Sequence, residues 1–192
     1  MPKATQEALW CLFSSRPIPG QVCIDQRPTI VDQRSRYGDW ELDTVIGKNH
    51  QQALVTLVER KSRLTLIAKV IRKNAEKVSD AIVSLLSTLK PWVYTLTSDN
   101  GREFAQHARI AKTLNADFYF AHPYASWERG LNENTNGLIR QYFPKKHDFT
   151  TITERHVEHV MNKLNNRPRK CLGYKTPNEV FFGTKPNVAL TN

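Results

Sequence analysis

Five carboxylates stand out by type and place. Asp39, Glu41 and Asp43 lie in the run Gly38-Asp39-Trp40-Glu41-Leu42-Asp43-Thr44, Asp99 in Ser98-Asp99-Asn100-Gly101, and Glu133 in Asn132-Glu133-Asn134. Carboxylate oxygens are the ligands that hard divalent cations such as Mg2+ prefer, and such sites keep positions open for water and phosphate. Two-metal phosphoryl transfer needs three or four carboxylates converging from different elements. Side chains alternate along a strand, so Asp39, Glu41 and Asp43 share one face, and alternation alone does not choose among them. Asp99 precedes Asn-Gly, a pair that permits a sharp turn. Its carboxylate can therefore project at a strand's C-terminal edge, where open α/β sheets place their ligands. Each acid also has an ordinary alternative: a plain turn for Asp99, a solvent-facing helix position for Glu133, a wet edge for the strand acids.

Positioning these acids takes a strand, a strand end and a later helix. Trp40, Leu42, Thr44 and Ile46 alternate with Asp39, Glu41, Asp43 and Val45, which is strand periodicity. A turn follows at residues 47–50. Residues 53–58 and 64–70 are β-rich runs joined by the polar link Glu59-Arg60-Lys61-Ser62-Arg63, a hairpin pattern. Asn74 can cap a helix running to about Leu89, and Pro91 stops it. A strand over 92–97, a helix over 102–114 and a short strand over 118–121 come next. After the break His122-Pro123-Tyr124, a helix is expected from Ser126 to Tyr142, weakened by Gly130 and Gly137. Another helix fits 153–165, and Thr176-Pro177 opens a short final one. This order predicts an α/β fold with a mixed sheet, three antiparallel strands then two parallel, flanked by helices. It matches the ribonuclease H-like arrangement, as other α/β domains also could. Residues 1–36 read as a leader or linker, 37–183 as the core and 184–192 as a tail.

The 192 residues suffice for one domain with a real core. No stretch approaches the roughly 20 apolar residues of a membrane span, and residues 8–13 are too short and poorly flanked for a signal peptide. Cys11, Cys23 and Cys171 are scattered, which argues against a disulfide scaffold or zinc finger and for a reducing cytoplasm. The net charge of +10 is localised: residues 59–77 and 126–192 carry +5 each, and the remainder balances. Localised positive charge suits a polyanion, because phosphate contacts release counterions; a solvated basic face is the competing reading.

Three motifs in order carry a more specific signal. The Asp43 run, Ser98-Asp99-Asn100-Gly101-Arg102-Glu103-Phe104, and the stretch from His122 to Arg140 with Trp127-Glu128-Arg129-Gly130-Leu131-Asn132-Glu133-Asn134-Thr135-Asn136 together resemble the DDE transposases of bacterial insertion sequences. The nearest match is the insertion-sequence family numbered thirty. The 33 residues between Asp99 and Glu133 are the interval that family shows. The resemblance runs from about Arg27 to Gly183.

It implies that Asp43, Asp99 and Glu133 are the catalytic, metal-holding acids, with two Mg2+ (or Mn2+) ions, and that the reaction is cleavage at transposon ends followed by strand transfer to target DNA. It further implies DNA as partner, a homo-oligomer assembled on it, and a cytoplasmic, nucleoid-associated bacterial setting. Arg129, four residues before Glu133, and Arg140, seven after it, share its helical face and can grip phosphates. In related cores the later position is usually Lys, so Arg140 keeps the charge and changes the geometry. Asn132 and Asn136 can orient DNA or water, or bond locally. Tyr124 and Trp127 can stack on a base or pack. Lys145, Lys146, Arg167, Arg169 and Lys170 are expected non-specific DNA contacts. His156 and His159 are expected on the surface. Relatives carry a helix-turn-helix region ahead of the core, and residues 1–36 show no such pattern. The alternative reading is therefore a truncated, inactive DNA-binding or interaction remnant of a transposase.

Overall fold

The computed structural model describes residues 18–48 and 52–183. The apolar stretch at 8–13, Cys11, the end of the turn at 47–50 and the tail at 184–192 lie outside the described residues. Five strands form one sheet: β1 (Asp39–Ile46), β2 (Ala53–Glu59), β3 (Thr65–Val70), β4 (Thr95–Ser98) and β5 (Asp117–Phe120). The spatial order is β3-β2-β1-β4-β5. The pairs β1–β2 and β2–β3 are antiparallel, and β1–β4 and β4–β5 are parallel. This is the topology the sequence order predicts.

Around the sheet lie α1 (Ile30–Gln33), α2 (Ala75–Ser87), α3 (His107–Leu114), α4 (Gly130–Ile139), α5 (Glu154–Asn165) and α6 (Pro177–Phe182). Asn74 caps α2 as expected, its side chain accepting from the Lys77 amide at 2.9 Å. The alternation of β1 and β2 divides the core. Trp40, Leu42, Val55 and Leu57 face α2 and α3, with Ile82, Leu86 and Ile110. Val45, Leu54 and Ile67 face α4 and α5, with Ile139, Val157 and Val160. Every residue of β2 is buried, as a central strand covered on both faces requires.

Three expected elements are shorter than the pattern suggested. The helix over 126–142 divides into a 3-10 turn at Ser126–Arg129 and then α4, so Gly130 begins the α-helix rather than interrupting it. The helix over 102–114 opens as a 3-10 turn at Arg102–Phe104 before α3. The strand over 92–97 keeps only its second half, because Pro91 sits in the first turn of a 3-10 segment at Lys90–Trp92.

Residues 18–36 pack against the sheet. Ile18 and Val31 are buried, Cys23 forms a parallel bridge to Phe120 at the β5 edge, and the Arg27 guanidinium donates to Thr97 Oγ1 at 3.0 Å. On the first face α6 closes the core, where Phe181 meets Trp40 edge-on with ring centroids 6.1 Å apart. No helix among the described residues is long and apolar enough to cross a membrane.

Candidate active site

The register of the two parallel strands brings two of the acids together. Asp39 pairs with Thr95 and Glu41 with Thr97. Continued by two residues, that register sets Asp43 beside Asp99, and neighbouring strands run about 4.8 Å apart. Asp99 leaves the strand in an Asx turn, its Oδ1 accepting from the Gly101 amide at 3.0 Å. A Cβ at Gly101 would stand 2.5 Å from Glu103 Oε2 and 2.9 Å from Asp99 Oδ1, so any larger residue there would displace the ends of both carboxylate side chains.

The three β1 acids have different surroundings. Asp39 accepts from Thr95 Oγ1 at 2.8 Å and from Arg36 at 2.9 Å. Glu41, fully buried, pairs with Arg60 Nη1 at 2.7 Å, and its other oxygen accepts from the Asn132 amide at 3.3 Å. Both are occupied in holding the fold. Asp43 is the acid at the open end. Its Oδ1 accepts from the Thr44 amide at 2.8 Å and its Oδ2 from Asn136 Nδ2 at 2.9 Å. Burial pushes the Asp43 carboxyl above its usual range; Arg129 opposes this, and the nearby charge of Asp99 adds to it.

Arg129 lies between the two aspartates. Its Nη1 is 3.7 Å from Asp43 Oδ2 and its Nη2 3.5 Å from Asp99 Oδ2. These separations give attraction without good hydrogen bonds, and Arg129 Nε and Nη1 are buried with no hydrogen-bond partner. Two carboxylates sharing one loosely held cation form a hard-oxygen donor set that fits a compact divalent ion. Glu133 is exposed in the first turn of α4. It is three residues from Asn136, the spacing of neighbours on a helix surface, whereas Arg129 lies in the 3-10 turn before α4, so the shared helical face expected from spacing does not extend to it. Among the described residues, its oxygens do not join those of Asp43 and Asp99 within 4.8 Å of one another. The cluster that does meet that limit is Cys23, Asp25 and His122, whose Cys23 is disulfide-bonded.

The other candidate residues divide by what they touch. Asn132 is buried, and its Nδ2 donates to the Leu42 carbonyl at 3.0 Å, fastening α4 to β1. Asn136 links Asp43 to Thr56, whose hydroxyl lies 3.3 Å from Asn136 Oδ1. Arg140 donates to the Ile46 carbonyl at 2.9 Å and reaches the Pro144 carbonyl at 3.4 Å, so it joins the ends of α4 and β1. Lys145, Lys146, Arg167 and Lys170 are exposed, whereas Arg169 is half-buried. Tyr124 and Trp127 are exposed beside the site, and His156 and His159 are surface residues.

Sequence reasoning assigned no role to Glu103, which accepts from Thr44 Oγ1 at 2.9 Å and pairs with Lys73 at 2.8 Å. Its position next to Asp99 in the second motif was the available signal. His122 also went unassigned. It bridges Glu128 Oε1 at 2.7 Å and Asp25 Oδ2 at 3.0 Å, tying the segment before α4 to the 18–36 region. Both contacts raise the His122 pKa, Glu128 foremost.

Residues 33–126 match the family described as Integrase core domain. The chain is 53% identical over 164 residues to the transposase for insertion sequence element IS4351 of Bacteroides fragilis, covering 85% of this chain and 50% of that protein. It is 42% identical over 173 residues to transposase InsI of element IS30A of Escherichia coli, covering 88% and 43%. The chain thus spans about half the length of the curated relatives it matches.

Among solved structures, the catalytic core domain of BIV integrase superposes with a TM-score of 0.58 at 23% identity, over 75% of this chain and 93% of that one. The HTLV-2 integrase catalytic core domain, in complex with magnesium, gives 0.59 at 18%, over 76% and 96%. These likenesses identify the ribonuclease H-like fold. The chain therefore has a ribonuclease H-like sheet, resembles the integrase core domain over residues 33–126, and is similar over most of its length to insertion-sequence transposases, that of IS30A among them.

Proposed function

We propose that this chain is the catalytic core of a DNA transposase, with Asp43, Asp99 and Glu133 as its metal-holding acids and residues 37–183 as the core. The observation that carries the reading is the shared Arg129 guanidinium between Asp43 and Asp99, while Asp39 and Glu41 are taken up by Arg36 and Arg60. Of three acids on one strand face, only Asp43 is directed to the strand end where Asp99 emerges.

Two Mg2+ or Mn2+ ions, when bound, lower the pKa of a water or activate a DNA 3′-OH and stabilise the leaving oxygen. Asp43 and Asp99 would hold them, with Glu133 of α4 as the third carboxylate. Asn136 fixes the Asp43 rotamer through its 2.9 Å hydrogen bond. Arg129, beside both aspartates, would be placed to grip a phosphate oxygen. Exposed Tyr124 and Trp127 offer flat surfaces for unpaired bases at a strand end. Lys145, Lys146, Arg167 and Lys170 contribute non-specific backbone attraction. The substrates are the transposon ends and target DNA, the working form is a homo-oligomer on DNA, and the setting is the bacterial cytoplasm and nucleoid.

The test is incubation of the protein with labelled duplex bearing the element's ends, with Mg2+ or Mn2+, beside Asp99→Asn. Metal-dependent nicking by the parent, reduced by roughly 10^3-fold or more in the variant, is the expected result. DNA binding without nicking, under conditions where a full-length relative cuts, would instead identify a binding remnant.

A further inference from the structure

On the flank of α4 turned away from Asp43 lies a cavity of about 170 Å3. Leu131, Asn134 and Thr135 of α4 form one wall, and Arg63, Arg169 and Cys171 the other. The helix separates the two sites by its period. Asn132 and Asn136 face β1 and Asp43, while positions 131, 134 and 135 fall on another side of the cylinder.

Arg63 sits in the β2–β3 turn with a left-handed backbone, φ 65°, held by its amide donating to the Glu59 carbonyl at 2.9 Å. Arg169 is anchored from the other direction: its Nη2 donates to the Leu164 carbonyl at 3.1 Å and its amide to the Lys175 carbonyl at 3.0 Å. The two guanidiniums therefore come from separate parts of the chain and meet at one cavity.

Their chemistry there is unfinished. Arg63 Nε, Arg63 Nη1 and Arg169 Nε are buried with no hydrogen-bond partner. Buried donors are nearly always satisfied, so three together call for an acceptor. Among the described residues, the lining carries no acid to serve as one. Burial foremost lowers the pKa of both arginines, with Arg34 and Arg167 adding to it and the Cys171 thiol at the rim opposing it. Exposed Arg167 and Lys170 lie within two residues of Arg169 in the chain, and exposed Lys175 accepts from the Arg169 amide through its carbonyl, which extends the positive field along a surface rather than confining it to a point. That distribution suits a polyanion better than a lone small anion.

We propose that Arg63 and Arg169 form a phosphate pocket that seats a backbone phosphodiester of bound DNA, on the far flank of the helix that carries Glu133. The inference rests on the DNA reading above and adds a contact to it. An α-helix with its side chains is about 10–12 Å across, so the pocket would engage the strand about three base steps, at 3.4 Å each, from the carboxylates. Held at both flanks of α4, the backbone cannot slide past the acids, so the pocket sets the register of the substrate.

Cys171, exposed at the rim, gives a local readout. Its alkylation by iodoacetamide is followed by mass spectrometry with no addition, with inorganic phosphate, and with a duplex of about three helical turns. Duplex affinity is measured in parallel by fluorescence anisotropy across a salt series. The duplex is expected to slow alkylation of Cys171 in the parent. Arg63→Gln should abolish that protection, weaken binding by about tenfold and reduce the slope of log K against log salt by about 0.9, the loss of one phosphate contact. Arg63→Lys, which keeps the charge, should retain part of both effects and guards against a folding defect in the glutamine variant.

Parental affinity and slope in folded Arg63→Gln would overturn the pocket while leaving the transposase reading in place. Protection by phosphate but not by duplex would overturn it as a DNA contact. A parent that binds no duplex at all removes both readings together.

Discussion

Asp43 has an unusual electrostatic position for a carboxylate with several donors around it. It accepts from Thr44 and Asn136 and lies near Arg129, yet burial and the Asp99 charge leave its pKa raised. A folded-state pKa above the unfolded value means that the ionised form opposes folding above the unfolded pKa, and the opposition is relieved as pH falls through the folded value. Without metal at neutral pH, Asp43→Asn should therefore melt at or above the parental temperature while losing metal-dependent nicking. Thermal denaturation in chelator paired with the nicking assay checks both halves; a variant that melts several degrees lower would assign Asp43 a structural role. Glu41, two residues away, has such a role: removing one partner of a buried pair such as Glu41–Arg60 typically costs about 3–5 kcal/mol. The sequence placed all three acids on one face but did not separate these roles. The distinction lies in their basic partners, and Arg60 reaches Glu41 only because β2 folds back on β1, with Trp40 opposite Glu59.

At the scale of elements, the strands were legible because each buries one or both faces, and burial writes a period of two into the residues. Alternation and helical spacing placed the strand of the first motif and the helix of the third, while the choice of Asp43, Asp99 and Glu133 came from the family resemblance. Boundaries were less legible where hydrogen bonds external to the segment decide them. The Asx turn at Asp99 leads directly into a 3-10 turn at Arg102–Phe104, and no periodicity encodes that. Nor did the pattern reveal the His122 bridge, because Asp25 is distant in sequence. That bridge carries a pH prediction. Glu128 and Asp25 raise the His122 pKa above 6.5, so its stabilisation is fully present below the unfolded value near 6.5 and is lost as pH rises through the folded value. The melting-temperature advantage of the parent over His122→Asn should be larger at about pH 5.5 than at about pH 8.5. An advantage that is constant or grows with pH would show that the segment before α4 is held by other contacts.

Across the whole molecule, the site is assembled from pieces that no single element contains. β1 and β4 bring Asp43 and Asp99 together through parallel register, the 3-10 turn before α4 supplies Arg129 between them, and α4 carries Glu133 about one helical turn from Asn136. The positive segments lie in the β2–β3 hairpin with the start of α2, and in α4 through to the C-terminus. Both flank α4 at the Arg63 and Arg169 cavity, which joins the two charge excesses read from composition to one surface. Glu133 is the member of the triad whose place depends most on the assembled state, since it is exposed rather than in contact with the aspartate pair. The most direct test is therefore the Mn2+-dependent nicking rate of Glu133→Gln against the parent on the same duplex, with Asp39→Asn as a control for loss of a fold-holding acid. The account predicts a fall of about 10^3-fold in Glu133→Gln with duplex affinity retained, and nicking by folded Asp39→Asn far closer to the parental rate. Parental nicking by Glu133→Gln would contradict the assignment of Glu133 and, with it, the three-acid site.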